Sequence, residues 1–214
     1  MSQRQEVMDR IRELRLVAVV RSTAEQVRPV VEALLDGGVQ AIEITFTVPR
    51  AAAMIRQVAQ DFGQQALLGA GTVVDAQKAA DAIDAGARYV VAPNTDFETI
   101  GLCAQRDVAV VPGAFTPTEV CAAWKAGADC VKLFPAGILG IPYLKALRAP
   151  LPDVPIMPTG GVDASNAADW LRAGAVALGV GSKLVLKDAL ASSDYARITE
   201  AAETFRAAIA EVEE

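Results

Sequence analysis

Histidine is missing from all 214 residues, and that absence removes whole classes of chemistry. No Ser-His-Asp or Cys-His constellation can exist in such a chain, and no imidazole can act as a general base. Cysteines and acids show no ligand-like spacing either, so a metal centre of the usual kind is not expected. Cysteine is scarce: Cys103, Cys121 and Cys130 are odd in number, unclustered and set among apolar residues, which fits reduced thiols filling a core. Basic residues number 20 against 26 acidic ones and are scattered, which argues against a nucleic-acid footprint or a polybasic membrane patch. No apolar run reaches membrane-spanning length and the N-terminus is polar, so neither a transmembrane helix nor a signal peptide is expected. A cytoplasmic location follows.

What the chain does have is aliphatic bulk. Apolar residues make up 52% and aromatics only 5%, the composition of an α/β protein whose parallel sheet is covered on both faces. The positive mean hydropathy, +0.30, points to a well-filled interior or to surface buried by self-association. Short β-rich runs recur every twenty-odd residues, at 16–20, 41–45, 66–69, 89–92, 108–111, 130–134, 155–157 and 175–180. Between them lie alanine-rich segments of helical period, opened by capping residues such as Thr23, Asp75, Thr95, Thr116 and Asp163. Four of the helix-to-strand joins are alike, as in "AIDAGARYVVA" and "AWKAGADCVKL": glycine ends the helix and an apolar strand starts two to three residues later. Eight βα units without a linker or composition shift predict an α/β fold, a single-domain (β/α)8 TIM barrel over residues 1–214. A doubly wound open sheet is the alternative. Residues 2–14 form an extra N-terminal helix and residues 195–213 the last covering one.

Gly, Pro, Thr and Ser concentrate at the strand C-termini, in "GAGTV", "VPGAFTPTE", "LFPAG", "PTGGVD" and "GVGSK", so a site is expected at that end. Lys132 is the anomaly: among the lysines it alone lies within a strand core, on one face with Cys130 and Phe134. It is either a rim lysine snorkelling to water or a desolvated amine able to attack a carbonyl and form a Schiff base. Glu43, flanked by isoleucines on the second strand, is either half of an ion pair with Arg21 or Lys132, or a proton shuttle for that amine. Arg21, ending the first strand, offers a fork suited to a carboxylate or a salt bridge at the mouth. The paired glycines Gly160 and Gly161, with Gly181 and Ser182 after the last strand, lie where barrels commonly bind phosphate. Asp163 reads as a helix cap rather than a ligand.

In that order and spacing, "EITFTVP", "GAGTV", "VPGAFTPTE", "VKLFPA", "PTGGV" and "GVGS" resemble the KDPG/KHG aldolases, the 2-keto-3-deoxy-6-phosphogluconate and 4-hydroxy-2-oxoglutarate aldolase family of class I enzymes. The resemblance runs from about Val17 to Val185. It implies that Lys132 is the Schiff-base lysine and Glu43 the general acid/base. It also implies that Thr72, Pro93 and Phe134 surround the pyruvyl portion and that Thr159 contacts the substrate chain. Gly160, Gly161, Gly181 and Ser182 would hold the phosphate of a small phosphorylated 2-keto acid, without cofactor or metal, in a homotrimer. Several relatives carry an arginine where this chain has Thr47; Arg21 is expected to hold the substrate carboxylate in its place. Thr159-Gly-Gly favours the gluconate-derived substrate over its galactonate epimer. Two other readings fit parts of the pattern: a phosphate-binding barrel epimerase or synthase, and a non-catalytic trimeric scaffold.

Overall fold

The alternation of the apolar runs decides which side chains meet. In the computed structural model, which describes residues 2–212, the strands are β1 (Leu16–Val20), β2 (Ala41–Thr45), β3 (Leu67–Gly71), β4 (Tyr89–Val91), β5 (Ala109–Val111), β6 (Gly113–Ala114), β7 (Val131–Leu133), β8 (Ile156–Pro158) and β9 (Leu178–Val180). They form a curled parallel sheet in two registers, β5-β4-β3-β2-β1-β9 and β6-β7-β8. Pro112 separates β5 from β6 because it has no N–H to give the ladder. Its carbonyl still accepts from Lys132 N at 2.9 Å, and Asp129 N donates to the Val110 carbonyl at 3.0 Å. At the other junction Thr159 bridges to Gly179, and Val176 N donates to the Ile156 carbonyl at 3.0 Å.

One face of each strand packs on helices. Leu16, Ala18 and Val20, Ile42 and Ile44, and Leu68 and Ala70 belong to one large buried cluster with residues of α2 (Ala24–Asp36), α3 (Ala51–Phe62), α4 (Ala76–Asp84) and α10 (Ala196–Ala210). The alternate residues, among them Val17, Ala41, Tyr89, Ala109, Cys130 and Met157, form a second cluster. Among the described residues the only helix in it is α1 (Gln3–Leu14), which contributes Val7, Met8, Ile11 and Leu14. Polar contacts fix α1 there: Arg4 Nε lies 2.8 Å from Asp129 Oδ1, and Gln3 N donates to Asp107 at 2.8 Å. Both acids stand near the N-terminal starts of strands, so α1 covers the end of the inner face opposite the strand C-termini.

Helix starts follow the local chemistry, with two departures from the expected caps. Asp75 caps α4, and Thr116 caps α6 (Pro117–Lys125) in a reciprocal capping box with Glu119. The cap of α5 (Phe97–Gln105) is Asp96 rather than Thr95, whose hydroxyl donates to the Gly113 carbonyl at 2.9 Å. Asp163 caps no helix: it accepts from Ser165 and Asn166 in a turn ahead of α8 (Ala167–Arg172). The expected last helix spans Ala196–Ala210, and Glu213 lies outside the described residues. Among the described residues no helix is long and apolar enough to cross a membrane.

Candidate active site

Lys132, the middle residue of β7, is only 2% exposed, and Glu43, the middle of β2, only 1%. Each lies two residues along the chain from a member of the inner cluster, Cys130 and Ala41, and so shares that face. Neither carboxylate oxygen of Glu43 has a hydrogen-bond partner, so the structural ion pair expected as one alternative is not formed. Burial pushes the Glu43 carboxyl above its ordinary value, opposed by the charges of Lys132 and Arg21. Burial pulls the Lys132 amine down, opposed by Glu43 and assisted by Arg21. The snorkelling alternative fails on the same geometry, since the lysine nitrogen sits 4.9 Å from the centre of the Phe134 ring rather than in water. A desolvated amine and an unpartnered acid on one inner face are the groups that nucleophilic attack on a carbonyl and proton transfer require.

β3 makes the room for this. A Cβ at Gly71 would lie 2.4 Å from Glu43 Oε1, and one at Gly69 would lie 2.4 Å from the ring of Tyr89. Glu43 and Tyr89 therefore reach over β3 from strands on either side. Gly179 does the same for Thr159, whose hydroxyl oxygen would meet a Cβ there at 2.2 Å. That hydroxyl is buried and also without a partner. Thr72, directly after β3, is held at φ 57°, a left-handed conformation costly for a β-branched residue and characteristic of sites that need a fixed geometry.

The loops at the strand C-termini open two cavities that share Phe134. One, of about 120 Å³, is lined by Arg21, Thr159, Gly160 and Gly161, with Gly181, Ser182 and Lys183 on its other side. Gly160 and Gly161 lie at φ 83° and 77°, and a Cβ on Gly161 would strike Gly137 at 2.3 Å, so only glycine fits. After β9 the chain does not enter a helix at once. Leu184 and Val185 turn back to the Gly181 carbonyl, and α9 starts only at Lys187. The loop that carries Gly181 and Ser182 is therefore closed by a turn rather than by a helix N-terminus. The other cavity, about 380 Å³, is bordered by Pro93, Asn94, Gly113 and Phe115. Neither lining includes Thr72. A groove of about 250 Å³ between α2 and α3 carries Glu25, Arg28 and Arg50, all solvent-exposed, and brings no buried titratable group to a ligand.

Of the residues singled out from sequence, Arg21, Pro93, Phe134, Thr159, Gly160, Gly161, Gly181 and Ser182 line the two cavities, Thr72 follows the end of β3, and Lys132 and Glu43 stand buried on the inner face in the middle of β7 and β2. Lys183 was missed, although it directly follows Ser182 in "GVGSK", where a cation beside an anion loop is readable. Tyr89 was missed for lack of any local signal.

Comparison with known proteins agrees over nearly the whole length. The family model described as KDPG and KHG aldolase matches residues 7–201. A 2-dehydro-3-deoxy-6-phosphogalactonate aldolase of Escherichia coli (strain K12) is 36% identical over 173 residues, covering 80% of this chain and 84% of that one. A 2-dehydro-3-deoxy-phosphogluconate aldolase of Treponema pallidum (strain Nichols) is 33% identical over 195 residues, 91% of each chain. Among solved structures, the KDPG aldolase of Legionella pneumophila with pyruvate captured at low pH as a covalent carbinolamine matches with TM-score 0.83 at 29% identity, covering 89% of this chain and 93% of that one. A family match of this extent, on a chain whose buried lysine and acid share one inner face, has one meaning: the chain belongs to the KDPG and KHG aldolase family.

Proposed function

We propose that this protein is a class I aldolase that cleaves 2-keto-3-deoxy-6-phosphogluconate to pyruvate and glyceraldehyde 3-phosphate, and 4-hydroxy-2-oxoglutarate to pyruvate and glyoxylate. One observation carries the assignment: a lysine 2% exposed shares the inner face with an acid 1% exposed whose oxygens bond to nothing. Lys132 attacks the C2 ketone, the carbinolamine loses water, and the iminium accepts the electron pair of the C3–C4 bond. Glu43, working through a water, takes the C4 hydroxyl proton, the bond breaks and the aldehyde leaves. The enamine is protonated at C3 by the same carboxylate or its water, and hydrolysis frees pyruvate and the lysine.

In this reading Phe134, Pro93 and Thr72 enclose the pyruvyl end and Arg21 takes its carboxylate. Thr159 contacts the chain of hydroxyls, and Gly160, Gly161, Gly181 and Ser182 receive the phosphate. The fold we infer is a single-domain (β/α)8 barrel in which β5 and β6 count as one strand and α1 is the added helix; the hydrogen bonds across both sheet junctions support it. Large apolar side chains left in water, Phe97 at 60% and Ile138 at 78% exposure, support burial in a homotrimer, and the three free cysteines suit a reducing cytoplasm. An epimerase or synthase gives Lys132 no covalent role, and a scaffold gives Glu43 none.

Borohydride trapping tests the assignment. After incubation with pyruvate and reduction, the adduct is expected on the Lys132 peptide and absent from Lys132→Ala. Folded protein that yields no adduct anywhere removes the aldolase reading.

A further inference from the structure

Tyr89 is a fully buried phenol, 0% exposed, in an inner cluster whose other members, among them Val17, Ala41, Ala109, Cys130 and Met157, are all apolar. Its hydroxyl has no hydrogen-bond partner. A phenylalanine would fill the same volume without burying that polar group, a burial that costs about 1–3 kcal/mol when unsatisfied. The hydroxyl therefore requires an explanation in what it faces.

The register supplies one. Glu43 pairs with Gly69, and Gly69 with Tyr89, across β2, β3 and β4. Because Gly69 has no side chain, the far end of the tyrosine ring, Cε2 and Cζ, lies where a Cβ would be, 2.4 Å from that position. The hydroxyl on Cζ thus extends over β3, while Glu43 Oε1 leans over the same strand from the other side, above Gly71. Residues 69 and 71 are successive inward positions, about 6–7 Å apart along a strand. The hydroxyl stands one bond beyond Cζ, and Oε1 lies 2.4 Å from where a Cβ on Gly71 would be, so the two oxygens can approach more closely than the strand positions do, to the roughly 5 Å that two hydrogen bonds through one water span.

We infer that Tyr89 is a positioning residue for Glu43: its hydroxyl donates, through a single bridging water, to the carboxylate held over Gly71. The inference rests on the reading of Glu43 as the acid/base of the aldol step. Burial and the charge of Glu43 hold the phenol well above its ordinary value, so it remains a donor throughout the working range. The other charged groups acting on Glu43 are Lys132 on β7 and Arg21 after β1, and Tyr89 is the neutral donor among them. A hydrogen bond to the charged form favours it, so Tyr89 holds the carboxylate in its proton-accepting state and limits its rotation.

The test is Tyr89→Phe. The carboxyl titration of Glu43 is read by infrared difference spectroscopy against Glu43→Gln, which needs no turnover. The midpoint is expected to move upward in Tyr89→Phe, with kcat for cleavage down about tenfold, KM within about twofold and thermal stability unchanged or higher. An unmoved Glu43 midpoint in folded Tyr89→Phe overturns the contact, and a moved midpoint with native kcat overturns its role in catalysis. If wild-type protein forms no pyruvate adduct, the aldolase reading fails separately, and the infrared titration still decides whether Tyr89 holds Glu43.

Discussion

Gly71→Ala tests how closely the acid must be placed. Gly71 ends β3 in a conformation open to alanine, since its φ lies outside the left-handed range of the glycines that require it. The added Cβ would stand 2.4 Å from Glu43 Oε1 and 2.8 Å from its carboxyl carbon, where ordinary contact begins near 3.4 Å. The carboxylate must withdraw by about 1 Å, and a misplacement of that size costs on the order of 10²-fold in rate. Crowding of Thr45, 3.1 Å from the new atom, adds an overpacking cost of about 1–3 kcal/mol to stability. Pyruvate release coupled to lactate dehydrogenase should show kcat reduced about a hundredfold, while borohydride still traps pyruvate on Lys132, because imine formation needs the amine more than the displaced acid. Gly101→Ala is the control: nothing lies within 4 Å of its added Cβ, so it should leave kcat alone and stabilise α5 by roughly 0.5–1 kcal/mol. Folded Gly71→Ala with near-native kcat would refute the placement of Glu43 over β3 as a condition of catalysis.

Adduct formation should report the buried amine directly. Only the neutral amine attacks, and burial together with Arg21 holds Lys132 below the ordinary 10.5. The rate of trapped adduct should therefore rise with pH and level off with a midpoint below 10.5; a midpoint at or above it contradicts the desolvated lysine. Arg21→Ala should raise KM for pyruvate-containing substrates about tenfold or more, as expected on losing a charged hydrogen bond of about 1.5–3 kcal/mol; an unchanged KM assigns the carboxylate to another group. Thr116→Ala removes the hydroxyl that accepts from Glu119 N at 3.3 Å; denaturant unfolding should show a loss of about 1 kcal/mol with kcat untouched.

Strand positions were legible because each apolar run carries its own period and its own stops. β1 and β2 coincide with the expected 16–20 and 41–45, and Lys132 and Glu43 stood out as charges where the pattern allows none. The misreadings are all cases where the deciding partner is remote or where neighbours compete. Thr95 and Asp96 are both good caps, and Thr95 is drawn away by the Gly113 carbonyl, 18 residues further on. β6 exists because Pro112 interrupts a ladder, a consequence of pairing rather than of local propensity. Tyr89 reads as an ordinary strand aromatic until Gly69 is known to lie beside it, which only the register of β3 and β4 reveals.

α1 has a bearing on how the products leave. With Val7, Met8, Ile11 and Leu14 packed against the inner face from the far end, the interior is covered there, and the two cavities that share Phe134 lie at the strand C-termini. On the proposed reading the pyruvyl half is held on Lys132 when the C3–C4 bond breaks, so the aldehyde half is the first to be free. By covering one end, a helix that lines neither cavity leaves both products to depart past the loops at the other.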